Sequence, residues 1–320
     1  MALKWIKLQT HVHTNHSDGS DTLETMARRA KEMTMDGFVL TDHNTMSGCE
    51  MAETIAQKIG IQILNGIEYT TFYGHVIVIG APYYRWDTLK QNHLNFLADH
   101  VHKYHGVIGI AHPRQIGDPI CTGGTFDFKE VDFHKIDFVE QWHGVENVQH
   151  EWEKNTEFWR SIVDCGIKMT YLYGGDFHFN AQFKDSKMFN WVQIDTNKQI
   201  NETVNASIAN GKLIMSKGPG IELFIKEGRH IHTLGDIIKF KGKKSDMLYV
   251  RIFENTSKQV KIRIVNNLGI LNEIQWSGQR EMKIGIEYFT DQKWIRGELI
   301  DEIQGDVTAI SNPIYFQQKN

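Results

Sequence analysis

Over residues 5–178 short apolar runs alternate with helix-like segments, and nearly every apolar run stops at a histidine or an acid. Apolar alternation over residues 5–12 predicts a strand. Residues 22–35 predict a helix, with Ser20 or Asp21 as its N-cap and Gly37 as its C-cap. The pattern then repeats. Strand-like runs at 38–40, 61–64, 75–79, 107–111, 138–142 and 169–173 are interleaved with helical patterns at 47–59, 88–104 and 150–164. Strands alternating with helices of this length argue for parallel βα units, closed as a barrel or open as a sheet. From about Gly220 onward the strand-like runs follow one another with no long helix between them, which predicts a small antiparallel β-sandwich. The change of texture lies at 212–222, giving an expected division into residues 1–217 and 218–320.

The composition narrows the function. A chain of 320 residues with 41% hydrophobic and 23% charged residues has ample material for a core, and disorder is disfavoured. A net charge of −4 gives no basic footprint, so a nucleic-acid polymer is disfavoured as partner. Three widely spaced cysteines, Cys49, Cys121 and Cys165, form no metal knuckle and no disulfide framework, as expected of thiols in a reducing compartment. No apolar run is long enough to span a bilayer and the N-terminus has no leader-like core, so no membrane and a cytoplasmic location are expected.

Sixteen histidines are more than ordinary usage, and their positions matter more than their number. His11 and His13 end the first strand two residues apart, so both rings face the same way. Asp18 follows in a polar turn, His43 ends the second strand, Glu68 follows the third, His75 opens the next, and His112 ends another. Asp176 and His178 form a further i, i+2 pair after the last strand of the series. The C-terminal edge of parallel strands is where loops converge and sites assemble. Imidazoles and carboxylates suit zinc, manganese or iron. Nine such groups exceed one tetrahedral shell and imply two or three divalent ions. Taken singly, each has a plainer reading as a hydrogen-bonded strand-end residue. His143 ends another strand and reads equally as a catalytic or phosphate-contacting group and as a structural one. His16, His93, His100, His102, His105, His134, His150, His230 and His232 are expected to be mostly solvated.

The order His11-x-His13, Asp18, Thr41-Asp42-His43, Glu68, His75, Ala111-His112-Pro113 and Gly175-Asp176-x-His178 resembles the PHP (polymerase and histidinol phosphatase) superfamily over residues 4–215. The segments 211–219 and 309–315 are similar to the CehA/McbA branch, with Lys217 standing where that branch often has Asn before Gly-Pro. The resemblance implies an α/β fold: a distorted (β/α)7 PHP-type barrel followed by a small antiparallel β-domain. It also implies a partition of the ligands. His11, His13, Glu68 and Asp176 would hold one metal, Glu68 would bridge to a second held by His75 and His112, and Asp18, His43 and His178 would hold a third.

No serine or cysteine nucleophile with a nearby base is evident, so covalent catalysis is not expected. Clustered dications lower the pKa of a bridging water and supply hydroxide near neutral pH. A small phosphate ester or nucleotide is the substrate class whose charge such a cluster matches. Arg114, following His112-Pro113, reads equally as a fork onto a phosphate oxygen and as half of a surface salt bridge. Asp42 is a candidate to orient a ligand imidazole. The alternatives are an uncharged ester, amide or carbamate, for which Tyr69, Phe72, Tyr73 and Trp142 would line an apolar pocket, and a non-catalytic binding module. The β-domain is a candidate surface for a homo-oligomer.

Overall fold

The computed structural model describes residues 2–115, 125–144, 149–254 and 259–319. Cys121 and the side chain of His150 fall outside them. In chain order the first part comprises β1 (Leu3–Val12), α1 (Leu23–Glu32), β2 (Gly37–Leu40), α2 (Cys49–Ile59), β3 (Gln62–Thr71), β4 (Gly74–Ile79), α3 (Leu94–Lys103), β5 (Val107–Ile110), β6 (Phe138–His143), α4 (Gln149–Val163), β7 (Thr170–Gly174), α5 (Gln182–Ser186), β8 (Phe189–Asp195), α6 (Ile200–Asn210) and β9 (Leu213–Ser216). The N-cap of α1 is Thr22, whose hydroxyl accepts from the Thr25 amide at 3.2 Å, and not Ser20 or Asp21. The helix also ends earlier than expected, at a Met33 cap, and the chain reverses through Thr34 at φ +60°. Gly37 therefore opens β2 and does not cap α1. A Cβ there would lie 2.7 Å from the Gln62 carbonyl on the neighbouring strand, so the close approach of β2 to β3 requires glycine.

Strands β1 to β7 form the barrel wall. β1, β2 and β3 are parallel, as are β5, β6 and β7. The parallel alternation breaks at β4, which is antiparallel to both β3 and β5. The cause is local: Thr71 Oγ1 accepts from the Tyr73 amide at 3.0 Å and Gly74 takes φ +134°, so β3 returns through a tight turn with no helix. Closure is also irregular. β8 runs antiparallel to β1 from the Leu3–Asp195 pair to the Leu8–Asn190 pair and occupies that edge. Backbone pairing between the β1 end and the segment following β7 occurs above it, where Val12 bridges Phe177 and the His13 amide donates to the Phe177 carbonyl at 2.7 Å.

The remaining strands are β10 (Gly220–Glu227), β11 (His230–Thr233), β12 (Ile237–Phe240), β13 (Lys244–Phe253), β14 (Val260–Asn266), β15 (Gly269–Gln275), β16 (Met282–Tyr288), β17 (Trp294–Asp301), β18 (Val307–Ser311) and β19 (Ile314–Gln318). They make two layers. A four-stranded sheet in the order β11-β10-β13-β16 faces a sheet built on β17, β18, β19 and β14. Leu223, Val250 and Ile286 of the first share a core with Ile262, Leu299 and Ile314 of the second. β9 pairs with β18 through Met215 and Ile310, so hydrogen bonding runs unbroken from the barrel wall into the sandwich. One pair, β12 with β19, is parallel. Among the described residues no helix is long and apolar enough to cross a membrane.

Candidate metal centre

Each candidate ligand reaches the same edge of the barrel by its own route. His11 and His13 project together from the end of β1, their ring centroids 4.9 Å apart. His75 is near the start of β4, not its end. Because β4 is antiparallel, its start lies at the edge where its neighbours finish, in register with Thr70 of β3. His112 and Asp176 leave β5 and β7 with left-handed backbones, φ +25° and +50°. That conformation is uncommon outside glycine, and here it occurs at two of the nine positions. Asp18 sits in the β1–α1 loop. Asp42 shapes that loop by accepting from the Thr14 amide at 2.7 Å, the Thr14 hydroxyl at 2.8 Å and the Ser17 hydroxyl at 2.7 Å. Asp42 thus organises the segment carrying Asp18, where the sequence had suggested that it orients an imidazole.

The nine side chains gather into three overlapping groups, in each of which one ligand atom per residue lies within 4.8 Å of the others. His11, His13, Glu68 and Asp176 form the central one. Asp176 Oδ1 stands 3.2 Å from His11 Nε2 and 2.9 Å from His13 Nε2, and Glu68 Oε2 stands 3.2 and 3.3 Å from the same two nitrogens. Glu68 Oε1 lies 3.0 Å from His75 Nδ1 and 3.2 Å from His112 Nε2, which makes the second group. The third is Asp18 with His43, His178 and His13. Asp18 Oδ1 is 3.2 Å from His178 Nε2, and Asp18 Oδ2 is 3.5 Å from His43 Nε2. The partition implied by the resemblance names the same residues in each set, except that His13 here also stands with Asp18, His43 and His178. His13 and Glu68 each belong to two groups.

The chemistry of the central group fits a cation. His11 Nε2, His13 Nε2, Glu68 Oε2 and Asp176 Oδ1 are all buried, and none has a hydrogen-bond partner. Four converging buried polar atoms without partners are costly unless something positive sits among them. Burial pushes the Glu68 carboxyl up, but the facing His11 and His43 rings outweigh it and hold it well below the usual carboxylate range. Asp176 is likewise raised by burial and pulled well below by His11, His13 and His143.

Glu140 was not picked out from the sequence. Fully buried on β6, its Oε1 lies 2.8 Å from His11 Nδ1 and its Oε2 accepts from the His112 amide at 3.1 Å. It fixes the ring of His11 so that Nε2 faces the central group. The signal was present: an acid inside an otherwise apolar strand segment, Phe138-Val139-Glu140, needs a reason. His143 is brought into the site, its Nε2 3.1 Å from Asp176 Oδ2 and its ring 4.6 Å from that of His112. Arg114 is exposed. Its guanidinium lies over the Phe158 ring at 5.3 Å and makes no ion pair among the described residues. Of the four aromatic residues considered for an apolar pocket, Tyr69 and Trp142 are core, Tyr73 packs edge-on to Phe128, and Phe72 is 74% exposed at the β3–β4 turn. Among the histidines outside the site, His102 is tied to Asp137 at 2.9 Å and His16 to Ser47 at 2.8 Å.

Residues 9–155 match the PHP domain family model. A phosphoribosyl 1,2-cyclic phosphate 1,2-diphosphodiesterase from Eggerthella lenta is 34% identical over 62 residues, covering 19% of this chain and 24% of that protein. A 5'-3' exoribonuclease from Haemophilus influenzae is 32% identical over 65 residues, covering 20% of this chain and 24% of that protein. The match thus spans about a quarter of the length of these curated relatives. A crystal structure of a two-domain protein from Bacteroides vulgatus, containing a predicted PHP-like metal-dependent phosphoesterase, aligns with a TM-score of 0.53 at 13% identity. The alignment covers 98% of this chain and 95% of that one. At that identity the likeness is one of fold, and it takes in both the barrel and the β-layers.

Proposed function

The chain carries a PHP domain, and from that premise we propose that it is a metal-dependent phosphoesterase acting on a small phosphorylated molecule or nucleotide. The observation that carries this reading is the set of four buried, unpartnered ligand atoms at the centre of three overlapping groups. Two or three divalent ions held there (zinc, manganese or iron) would polarise the ester and ionise water near neutral pH. The chain's own residues set the rest. Glu68 and His13 couple neighbouring groups, so ions would sit close enough to engage one phosphoryl group together. Glu140 orients His11 and anchors the His112 backbone. His143, beside Asp176 and His112, is proposed to hydrogen-bond a phosphoryl oxygen. Arg114, two residues beyond His112 and free of any acidic partner among the described residues, is proposed to fork onto another.

The test begins with elemental analysis of the unchelated protein, followed by a phosphatase screen with each metal restored. Two or more ions per chain and turnover of an aryl phosphate are expected. His11→Ala and Asp176→Ala should lose both metal and turnover. Fewer than one ion per chain, or full activity in metal-free His11→Ala, would sink the reading. Faster turnover of the matching aryl ester than of the phosphate would transfer the proposal to an uncharged carbonyl substrate.

A further inference from the structure

The last strand of the barrel has a strand on one side only. β7 pairs with β6 through Val139–Tyr171 and Trp142–Tyr173. On its other edge two asparagine side chains take the place of a strand. Asn190, on β8, accepts from the Tyr173 amide through Oδ1 at 2.9 Å and donates to the Tyr173 carbonyl through Nδ2 at 2.8 Å. Asn312, between β18 and β19, does the same to Tyr171. Its Oδ1 accepts from the amide at 3.0 Å, and its Nδ2 donates to the carbonyl at 2.8 Å and to the Leu213 carbonyl at 3.2 Å. Each amide presents the donor and acceptor that one residue of a neighbouring strand would present. Both side chains are fully buried, with 0% of each residue exposed.

Asn190 also reaches β1. Its Nδ2 lies 3.3 Å from Thr10 Oγ1, and the Thr10 hydroxyl donates to the same Tyr173 carbonyl at 2.7 Å. Thr10 adjoins His11. Tyr173 is followed by Gly174, Gly175 and then Asp176. Two glycines give the segment leading to Asp176 little stiffness of its own. On one side it is held by β6, where Gly174 stands in register with His143 and its carbonyl accepts from the Gly144 amide at 2.9 Å; on the side facing β1 it is gripped by the Asn190–Thr10–Tyr173 cluster below and the Val12–Phe177 bridge above. We infer that Asn190 is a positioning residue of the metal centre, holding the ligand-bearing ends of β1 and β7 in register, with Asn312 of the β-domain supporting β7 one step lower. The β-domain then contributes to the site without approaching it. This rests on the reading of the nine residues as a metal centre. It follows from geometry because Asp176 Oδ1 must meet the nitrogens of two rings on β1, and metal–ligand distances tolerate only about 0.2 Å.

The experiment is a cobalt(II) titration of the metal-stripped full chain, following the visible absorption and the bound stoichiometry, with thermal unfolding recorded in parallel. Asn190→Ala and Asn190→Ser should weaken cobalt binding by about tenfold or more and change the spectrum, in the range seen when groups supporting ligands are removed. Asn312→Ala should show a smaller loss of the same kind. Asn205→Ala removes a buried amide on α6 that bonds the His105 carbonyl at 3.2 Å, away from the site, and should bind cobalt as the parent does. Asn190 and Asn312 variants that melt earlier yet bind cobalt with parental affinity and spectrum would overturn the inference and leave the amides as structural groups only. If Asn190→Ala does not fold, Asn190→Ser and Asn312→Ala carry the same comparison. A parent chain that binds no cobalt would overturn the metal-centre reading itself, a result distinct from parental binding by the variants.

Discussion

Replacing Glu140 by glutamine changes one atom and should cost the site most of its preorganisation. Both oxygens of the buried carboxylate are engaged, Oε1 with His11 Nδ1 at 2.8 Å and Oε2 with the His112 amide at 3.1 Å. A glutamine offers one acceptor and one donor group. If its carbonyl faces His11, its NH2 meets the His112 N–H, and two buried donors confront each other at a cost of about 1–3 kcal/mol. If it flips, its NH2 faces His11 Nδ1 and favours the tautomer that carries its proton on Nε2, the nitrogen aimed at Glu68 and Asp176. Either way metal affinity should fall by about 10- to 100-fold, or about 1.4–2.7 kcal/mol, and kcat/KM should fall with it. Competition against a chelator of known affinity measures the first, and near-UV circular dichroism checks that the fold persists. If Glu140→Gln binds metal within about threefold of the parent, the argument that this carboxylate sets the His11 tautomer is wrong.

The three groups differ in exposure, which should show in how ions leave. The Asp18 side chain is 54% exposed and that of His178 30%, against 0% for His11 and Glu68. A chelator added to the loaded protein should therefore remove one ion quickly and the rest slowly, and a single phase of metal release would contradict this. Away from the site, the hydrogen bond to Asp137 raises the His102 ring above its usual pKa, with burial opposing. A raised folded-state pKa means that the pair stabilises fully below pH about 6.5 and that this is lost as pH rises through the raised value. The Tm deficit of His102→Gln should thus be largest near pH 6 and close at alkaline pH. It corresponds to only about 0.5 kcal/mol, because the pair is partly solvent-screened, and a deficit that grows with pH would refute the pairing. Burial pushes the Cys49 thiol up to about 11, whereas Cys165 is exposed. Iodoacetamide at pH 8 should label Cys165 rapidly and Cys49 only on unfolding, as read by peptide mapping.

The candidate ligand set was legible because it depends on short-range rules. His11 and His13, like Asp176 and His178, declare themselves by spacing, and strand ends can be located from apolar runs alone. What the sequence hid depends on partners far along the chain. His75 is a ligand candidate that the sequence places at the start of a strand, the wrong end for a parallel barrel, and it reaches the common edge because β4 runs antiparallel. Glu140 looks like a misplaced acid until His11, 129 residues earlier, is beside it. Asp42 reads in sequence as a group orienting an imidazole, but its partners are Thr14 and Ser17, close at hand in the fold and invisible to ligand spacing. The helix boundaries erred where a threonine cap and a left-handed threonine did the work assigned to other residues. Nothing in a single sequence reveals that β9 and β18 pair, which joins barrel and sandwich in one hydrogen-bonded sheet.

The backbone at the site ties metal binding to folding. His112 and Asp176 hold left-handed conformations that cost on the order of 1 kcal/mol or more each. At His112 the following Pro113 narrows the choice further. Such strain persists only where neighbours fix the chain on both sides. Here the Glu140 carboxylate grips the His112 amide, and the His178 ring, with Nδ1 2.9 Å from the Asp176 carbonyl, closes the turn. Those two contacts come from residues that are themselves ligand candidates or their direct supports. The strained backbone and the donor set therefore form one unit, and neither is explained without the other. A cation occupied at 100 times its Kd would add about 2.7 kcal/mol to the folded state, enough to offset the strain of both residues.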